Sequence, residues 1–156
     1  MGLNYGEIIM STYTLIIYHI IFSTKNRRRT ITMDKKEELL KYIWGTIKNT
    51  NSHLYRINAV EDHIHILTSV NKTLSLSEFV KKIKISSNKW IKENNIFPNF
   101  DSWQKGYAAF TIAHNEKGTV INYIKNQEEH HKHKSFIEEY KEFLEKYKIK
   151  YDEKYL

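Results

Sequence analysis

Between His53 and Val70 the chain reads HLYRINAV, then Glu61 and Asp62, then HIHILTSV. Two apolar, β-branched runs with only two residues between them have no room for a crossover connection. They must fold back on each other as an antiparallel hairpin. A sheet is therefore obligatory, and the flanking sequence decides what covers it.

Residues 12–24 are β-branched and aromatic and predict a central strand, and GYAAFTIA from Gly106 to Ala113 predicts a fourth. After the basic turn KNRRRT, Asp34 with Glu37 has the spacing of a capping box, and Leu39, Leu40, Ile43, Trp44 and Ile47 recur at helical spacing. This predicts a helix over about 34–50. Ser75 with Glu78 opens a second helix, with Leu76, Phe79, Val80, Ile83, Trp90 and Ile91 on one face. Lys81, Lys82, Lys84, Lys89 and Lys92 lie on the opposite face, and Pro98 ends the region. A helix from roughly Glu116 to His130 follows, then a last one capped by Ser135 and Glu138 with the stripe Phe136, Tyr140, Phe143, Leu144, Tyr147. The order is βαββαβ plus C-terminal helices. That order predicts an α+β, ferredoxin-like domain, an antiparallel sheet with helices packed on one face.

A length of 156 residues suits a single domain. Met10 would serve as an initiator, so residues 1–10 are expected to be an N-terminal extension and 11–156 the domain. Twenty-five Lys and Arg against 18 Asp and Glu leave a formal charge of +7, which favours polyanionic partners. The absence of cysteine excludes disulfides, thiolate metal sites and cysteine nucleophiles, and suits the cytoplasm. LIIYHIIF, from Leu15 to Phe22, is too short to span a bilayer and runs into STKNRRR, so no membrane association is expected.

Within the hairpin, His63 and His65 are alternate residues and share a face, roughly 7 Å apart along the strand. Ile64 and Ile66 point to the other side. Two imidazoles at that spacing can converge on one cation, and the same pair can equally be structural. If a cation is bound, two imidazoles leave positions open for a further ligand and for substrate, which suits a Lewis-acid catalyst. Spacing alone does not choose among Mg²⁺, Mn²⁺ and Zn²⁺. The cluster HHKHK near residue 130 is a competing site. Its flanking lysines repel cations and its imidazoles suit a helix C-terminus, so it is read as a dipole feature. Tyr123 and Gln127 sit four apart on one helical face, with Val120, Ile121 and Ile124 on the packing side. A phenol with a pKa of about 10 needs a metal or a lysine beside it to act as a nucleophile. The Gln127 carbonyl has the chemistry of a third, oxygen ligand, although most of the 11 tyrosines in the chain must be packing residues.

Four blocks in order, YHIIFSTKNRRR, EDHIHIL, WQKGYAAFTIA and VINYIKNQEEHH, resemble the single-tyrosine HUH transposases of the smallest bacterial insertion sequences and their repeat-associated relatives. The tail SFIEEYKEFLEKYKIKYDEKYL looks like the C-terminal part of one subgroup, and the likeness covers about residues 11–155. The resemblance implies a metal-dependent endonuclease and strand transferase acting on single-stranded, hairpin-containing DNA. Carried over by position, it makes His63, His65 and Gln127 ligands of a divalent ion, Mg²⁺ or Mn²⁺. Tyr123 becomes the nucleophile that forms a 5′-phosphotyrosine bond. It further implies a homodimer in which the tyrosine helix of one subunit completes the other's site. Lys25, Arg27, Arg28 and Arg29 could then grip a hairpin backbone, with Lys105 and Lys125 flanking the site. Trp103, Tyr107 and Phe110 could stack bases, or belong to the core. Glu61 stands where many relatives have proline, a change to the turn rather than the chemistry.

Two rivals remain within reach of the sequence. A histidine-triad nucleotide hydrolase needs a third alternating histidine where Leu67 stands. A domesticated repeat-associated transposase, or a DNA-binding descendant without catalysis, would keep the fold and the basic surface.

Overall fold

The computed structural model describes residues 12–156, so the expected N-terminal extension lies outside the described residues. Four strands form one antiparallel sheet: β1 (Ile17–Ser23), β2 (His53–Val60), β3 (His63–Ser69) and β4 (Ala108–Ile112), in the spatial order β2-β3-β1-β4. Five α-helices accompany them: α1 (Lys36–Asn49), α2 (Leu76–Glu93), α3 (Lys117–Lys125), α4 (Gln127–His130) and α5 (Phe136–Lys146). The hairpin closes with Val60 opposite His63, as its two-residue connection requires. The α+β, ferredoxin-like expectation holds. No helix among the described residues is long and apolar enough to cross a membrane.

Strand alternation divides the protein into two layers of packing. Ile20 and Phe22 of β1 and Ile64 and Ile66 of β3 join Leu39, Ile43 and Ile47 of α1 and Phe79 and Ile83 of α2 in the main core. The opposite face carries Ile17, His19 and Ile21 on β1 and His63, His65 and Leu67 on β3. It is covered by the C-terminal helices through Phe136, Leu144 and Ile124. A sheet covered on both sides explains why β3 is buried continuously from His63 to Thr68. It also means that every polar group on the second face must find a partner inside the protein.

Several boundaries differ from the sequence expectation. β1 begins at Ile17, not at residue 12, because its partners run out: Ile17 already pairs with Ser69 and Ile112, the last residues of β3 and β4. Leu15 and Ile16, which looked like strand residues, are exposed. The first helix starts at Lys36, with Lys35 rather than Asp34 at its N-cap position, so it lacks a side-chain cap. By contrast, the Ser75 hydroxyl accepts from the Glu78 amide at 3.2 Å, and Ser135 and Glu138 form a complete reciprocal box.

The expected helix over 116–130 is broken at Asn126, and the cause lies across the sheet. The Asn58 amide, on β2, donates to the carbonyls of Ile124 (2.9 Å) and Lys125 (3.3 Å). In an unbroken helix those carbonyls would take the amides of Glu128 and Glu129. The Asn58 oxygen in turn accepts from the buried ammonium of Lys36 at 3.2 Å, and Lys36 also pairs with Glu128. Asn58→Ala would strand these groups in a buried setting and is expected to cost about 1–3 kcal/mol. Urea unfolding would measure it, and an unchanged midpoint would show that the break does not depend on Asn58.

Candidate active site

The second face of the sheet holds a compact polar centre assembled from four elements. β3 supplies His63 and His65, α4 supplies Gln127, the turn after it His131, and α5 Glu139. His63, His65 and Gln127 are fully buried and Glu139 nearly so. The Nε2 atoms of His65, His131 and His63 approach one Glu139 oxygen, Oε1, at 2.8, 3.3 and 3.4 Å. The Gln127 Oε1 lies 3.0 Å from His131 Nε2 and 3.3 Å from His63 Nε2. From α3, the Tyr123 hydroxyl donates to the other Glu139 oxygen, to which the Gln127 amide also donates at 3.3 Å. Tyr123 and the histidine pair thus meet at one carboxylate within one chain.

Outer contacts set the orientation of each ring. His63 Nδ1 faces the Asp62 carboxylate at 2.7 Å, and Phe136 stacks on the ring with centroids 4.5 Å apart. His65 Nδ1 meets His19 Nε2 at 2.8 Å, and His131 Nδ1 meets the Lys134 carbonyl at 2.7 Å. His130 stacks on Tyr123 at 4.6 Å.

Burial and charge act in opposite directions at this centre. Burial would raise the Glu139 carboxyl, but hydrogen bonds from His131, His63 and His65 hold it far below the usual carboxylate range. Burial pushes His65 down to about 4, and burial with the neighbouring His65 pushes His19 down to about 3. Both are neutral imidazoles at pH 7, the form that offers a lone pair to a metal. His63 is depressed by burial, yet Asp62 and Glu139 outweigh that and its net shift is upward. Burial and the Glu139 charge push the Tyr123 phenol well above its ordinary value. In this arrangement the phenol is held protonated, and a cation beside Glu139 would offset that effect.

His63, His65, His131 and Glu139 each offer one ligand atom, and the four lie within 4.8 Å of one another. Imidazole nitrogen and carboxylate oxygen are the donors that divalent ions take, so the set fits a metal. Two of these residues were not among the expected ligands. His131 lies in the very cluster set aside because of its lysines. Lys132 and Lys134 pair instead with Glu129 (2.9 Å) and Glu142 (2.6 Å), which relieves the repulsion. Glu139 carried a readable signal: a carboxylate three residues after Phe136 and four before Phe143, on the apolar stripe of its helix.

The expected DNA-binding residues are scattered. Lys25, Arg27, Arg28, Arg29, Lys105 and Lys125 are exposed. Lys25 pairs with Asp101 at 3.4 Å and Arg29 lies 3.8 Å from Glu61. Arg29, Lys132 and Lys134 line a cleft of about 350 Å³ that reaches Asp62, His131 and Phe136. Arg27, Lys105 and Tyr107 line a second, of about 240 Å³, on another side of Phe136. Trp103 is a correction. It is 7% exposed, its indole N–H donates to Ser87 at 2.9 Å, and it packs edge-on against Phe22 and Phe100. A ring held in the core has no face left for a base. Phe110, stacked on Tyr147 at 4.5 Å, is likewise core.

The fold and this centre define an α+β domain with a buried set of metal-ligating groups under a tyrosine-bearing helix. Comparison with known proteins gives the family. The IS200-like transposase family matches residues 12–127, and the chain belongs to it. The IS200 insertion-sequence transposase of Salmonella typhimurium is 27% identical over 120 residues, 74% of this chain and 78% of that protein. The ISDra2 transposase TnpA of Deinococcus radiodurans is 22% identical over 117 residues, 70% and 82% of the two chains. Among solved structures, a candidate transposase from Deinococcus radiodurans R1 superposes with a TM-score of 0.57 at 20% identity, over 81% of this chain and 98% of that one. A REP-associated tyrosine transposase bound to a REP hairpin superposes with a TM-score of 0.56 at 16% identity, over 78% and 74%. DNA transposition is the activity that defines this family.

Proposed function

We propose that residues 11–156 form one catalytic domain, a metal-dependent single-stranded DNA endonuclease and strand transferase acting through Tyr123. The observation that carries the reading is the meeting of the Tyr123 hydroxyl with His63 and His65 at Glu139. In the reaction, Glu139 orients the Tyr123 hydroxyl, the Tyr123 oxygen attacks a DNA phosphorus, and the phenol proton is released to water. The new O–P bond replaces the P–O3′ bond, and the departing 3′ oxygen takes up a proton to become a hydroxyl. The 5′-phosphotyrosine conserves the energy of the broken bond, so a later 3′-hydroxyl can rejoin the strand without ATP. His63 and His65, with Gln127, His131 and Glu139 beside them, would hold a divalent ion, which would supply Lewis-acid polarisation of the phosphate.

The two basic clefts beside Phe136 are the proposed path of the DNA, with hairpin backbone at Arg27, Arg28 and Arg29, and Lys25, Lys105 and Lys125 as outlying contacts. Arg29→Ala combined with Lys105→Ala should weaken oligonucleotide binding. It should also flatten the salt dependence by about 0.7 in log–log slope for each phosphate that the protein no longer neutralises. Fluorescence anisotropy at several salt concentrations measures this, and an unchanged slope would remove both residues from the path. A homodimer in the cytoplasm is part of the reading, with its tyrosine acting in the subunit that bears it. The resemblance implied an exchanged tyrosine helix, but here a single chain already brings the groups together.

The decisive experiment incubates the protein with single-stranded oligonucleotides carrying its own genomic flanks and Mn²⁺ or Mg²⁺. A denaturation-resistant protein–DNA adduct is expected. Tight hairpin binding with no adduct under any divalent ion would favour the non-catalytic descendant. Insertion-sequence ends among the cleaved flanks would indicate a mobile element, and scattered palindromes a domesticated one.

A further inference from the structure

We infer that Asn58 and Lys36 are positioning residues for the tyrosine, a buried clamp that fixes where the Tyr123 helix ends and so where its hydroxyl stands. The inference rests on the nuclease reading above and goes beyond it by naming groups that touch neither DNA nor the reacting atoms.

Helix α3 is short and has no side-chain cap at its N-terminus. It meets the sheet through Val120, Ile121 and Ile124, packed with Ile17, Leu67 and Ile112. Apolar contact is non-directional, so a helix this short needs directional bonds to fix its axial position. The last carbonyls of a helix have no partner within it. Here a single amide group, that of Asn58, donates to two of them in succession, Ile124 at 2.9 Å and Lys125 at 3.3 Å. Two bonds from one nitrogen to consecutive carbonyls set both the rotation and the height of the helix end. Ile124 follows Tyr123 directly, so the phenol moves with them.

The Asn58 amide has one allowed orientation. Its oxygen accepts from the Ala59 N–H at 2.9 Å and from the Lys36 ammonium at 3.2 Å, and neither of these can accept. Turned over, the group would set its hydrogens against two donors and its oxygen against two carbonyls. Lys36 extends the link by pairing with Glu128 on α4, so both sides of the Asn126 break are held.

Lys36 itself stands where local preference disfavours it. It is 8% exposed and is the first residue of α1, where the helix dipole opposes a cation. Burying an ammonium is costly unless it is paired, and among the described residues its hydrogen-bond partners are Asn58 and Glu128. A residue placed against local preference points to a demand from elsewhere in the structure, here the orientation of the Asn58 amide.

Asn58→Asp keeps both acceptor contacts and the side-chain size but turns an oxygen toward the Ile124 and Lys125 carbonyls. Lys36→Met removes the charge and keeps the length. Single-turnover adduct formation over a range of oligonucleotide concentrations separates rate from binding. Each variant should lower the rate at saturating DNA by about ten- to a hundredfold, the loss that a displacement of about 1 Å produces, with half-saturation unchanged. Ser87→Ala is the comparison: it removes a buried hydrogen bond to the Trp103 indole in the main core and should keep the parent rate. Amide hydrogen exchange followed by NMR reads the clamp without DNA. Amides of α3 should lose protection in both clamp variants while those of α5 keep theirs. If one clamp variant fails to fold by circular dichroism, the other decides. Parent rates in the folded variants, or an equal loss in Ser87→Ala, would overturn the proposal and leave the nuclease reading standing. A parent protein that forms no adduct with any divalent ion would overturn the nuclease reading instead. Exchange in α3 then decides the clamp, lost protection supporting it and parent-like protection overturning it.

Discussion

Tyr123→Phe is expected to abolish the covalent protein–DNA adduct while leaving the protein folded and able to bind its oligonucleotide. The phenyl ring keeps the stacking on His130 and the edge contact with Phe143, so packing changes little. Only the hydroxyl is removed, and Glu139 retains the three imidazoles and the Gln127 amide. The stability cost should stay near 1 kcal/mol, the usual net value of one hydrogen bond. Adduct yield, in contrast, should drop by about a thousandfold or more, because phenylalanine has no nucleophile and no other hydroxyl is placed at Glu139 among the described residues. Denaturing gels with labelled oligonucleotide measure the yield. An adduct of normal yield in Tyr123→Phe would assign the attack to another side chain.

The second large effect concerns which chain supplies the tyrosine. A His63→Ala, His65→Ala double variant should form no adduct, since two of the three rings present at Glu139 are gone. Mixing it with Tyr123→Phe should restore nothing, because each chain would carry one half of a site that closes on itself. Were the tyrosine helix exchanged between subunits, the mixed dimers would each contain one intact site. Recovery would then approach about a quarter of the parent yield after full subunit exchange. Restored adduct at that level would overturn the single-chain arrangement and leave the chemistry of Tyr123 untouched.

What could be read from the sequence was local, and what could not was long-range. The hairpin followed from a two-residue gap, and the shared face of His63 and His65 followed from strand alternation. The cap of α5 followed from Ser135 and Glu138. The break at Asn126 had no local signal, since neither proline nor glycine stands there. It is imposed by an amide at Asn58, 66 residues from the carbonyl it engages. The early start assigned to β1 failed for a similar reason: strand propensity persists through Leu15 and Ile16, but partner strands do not. Trp103 looked available to DNA because a sequence does not show that Ser87 waits for its indole N–H. His131 was set aside on charge, in ignorance of Glu129 and Glu142. Glu139 was overshadowed by Glu138, the cap beside it, although an acid on an apolar stripe is itself a sign of a buried partner.

A centre that closes within one polypeptide has a consequence for gene dosage. Where two molecules must meet to build one site, output at low abundance scales with the square of concentration. Where one molecule suffices, output scales linearly, and a handful of copies per cell remains competent. On the proposed reading, in which Tyr123 acts within its own chain, scarcity alone would not silence the protein, and restraint on the proposed cutting would have to come from access to the DNA.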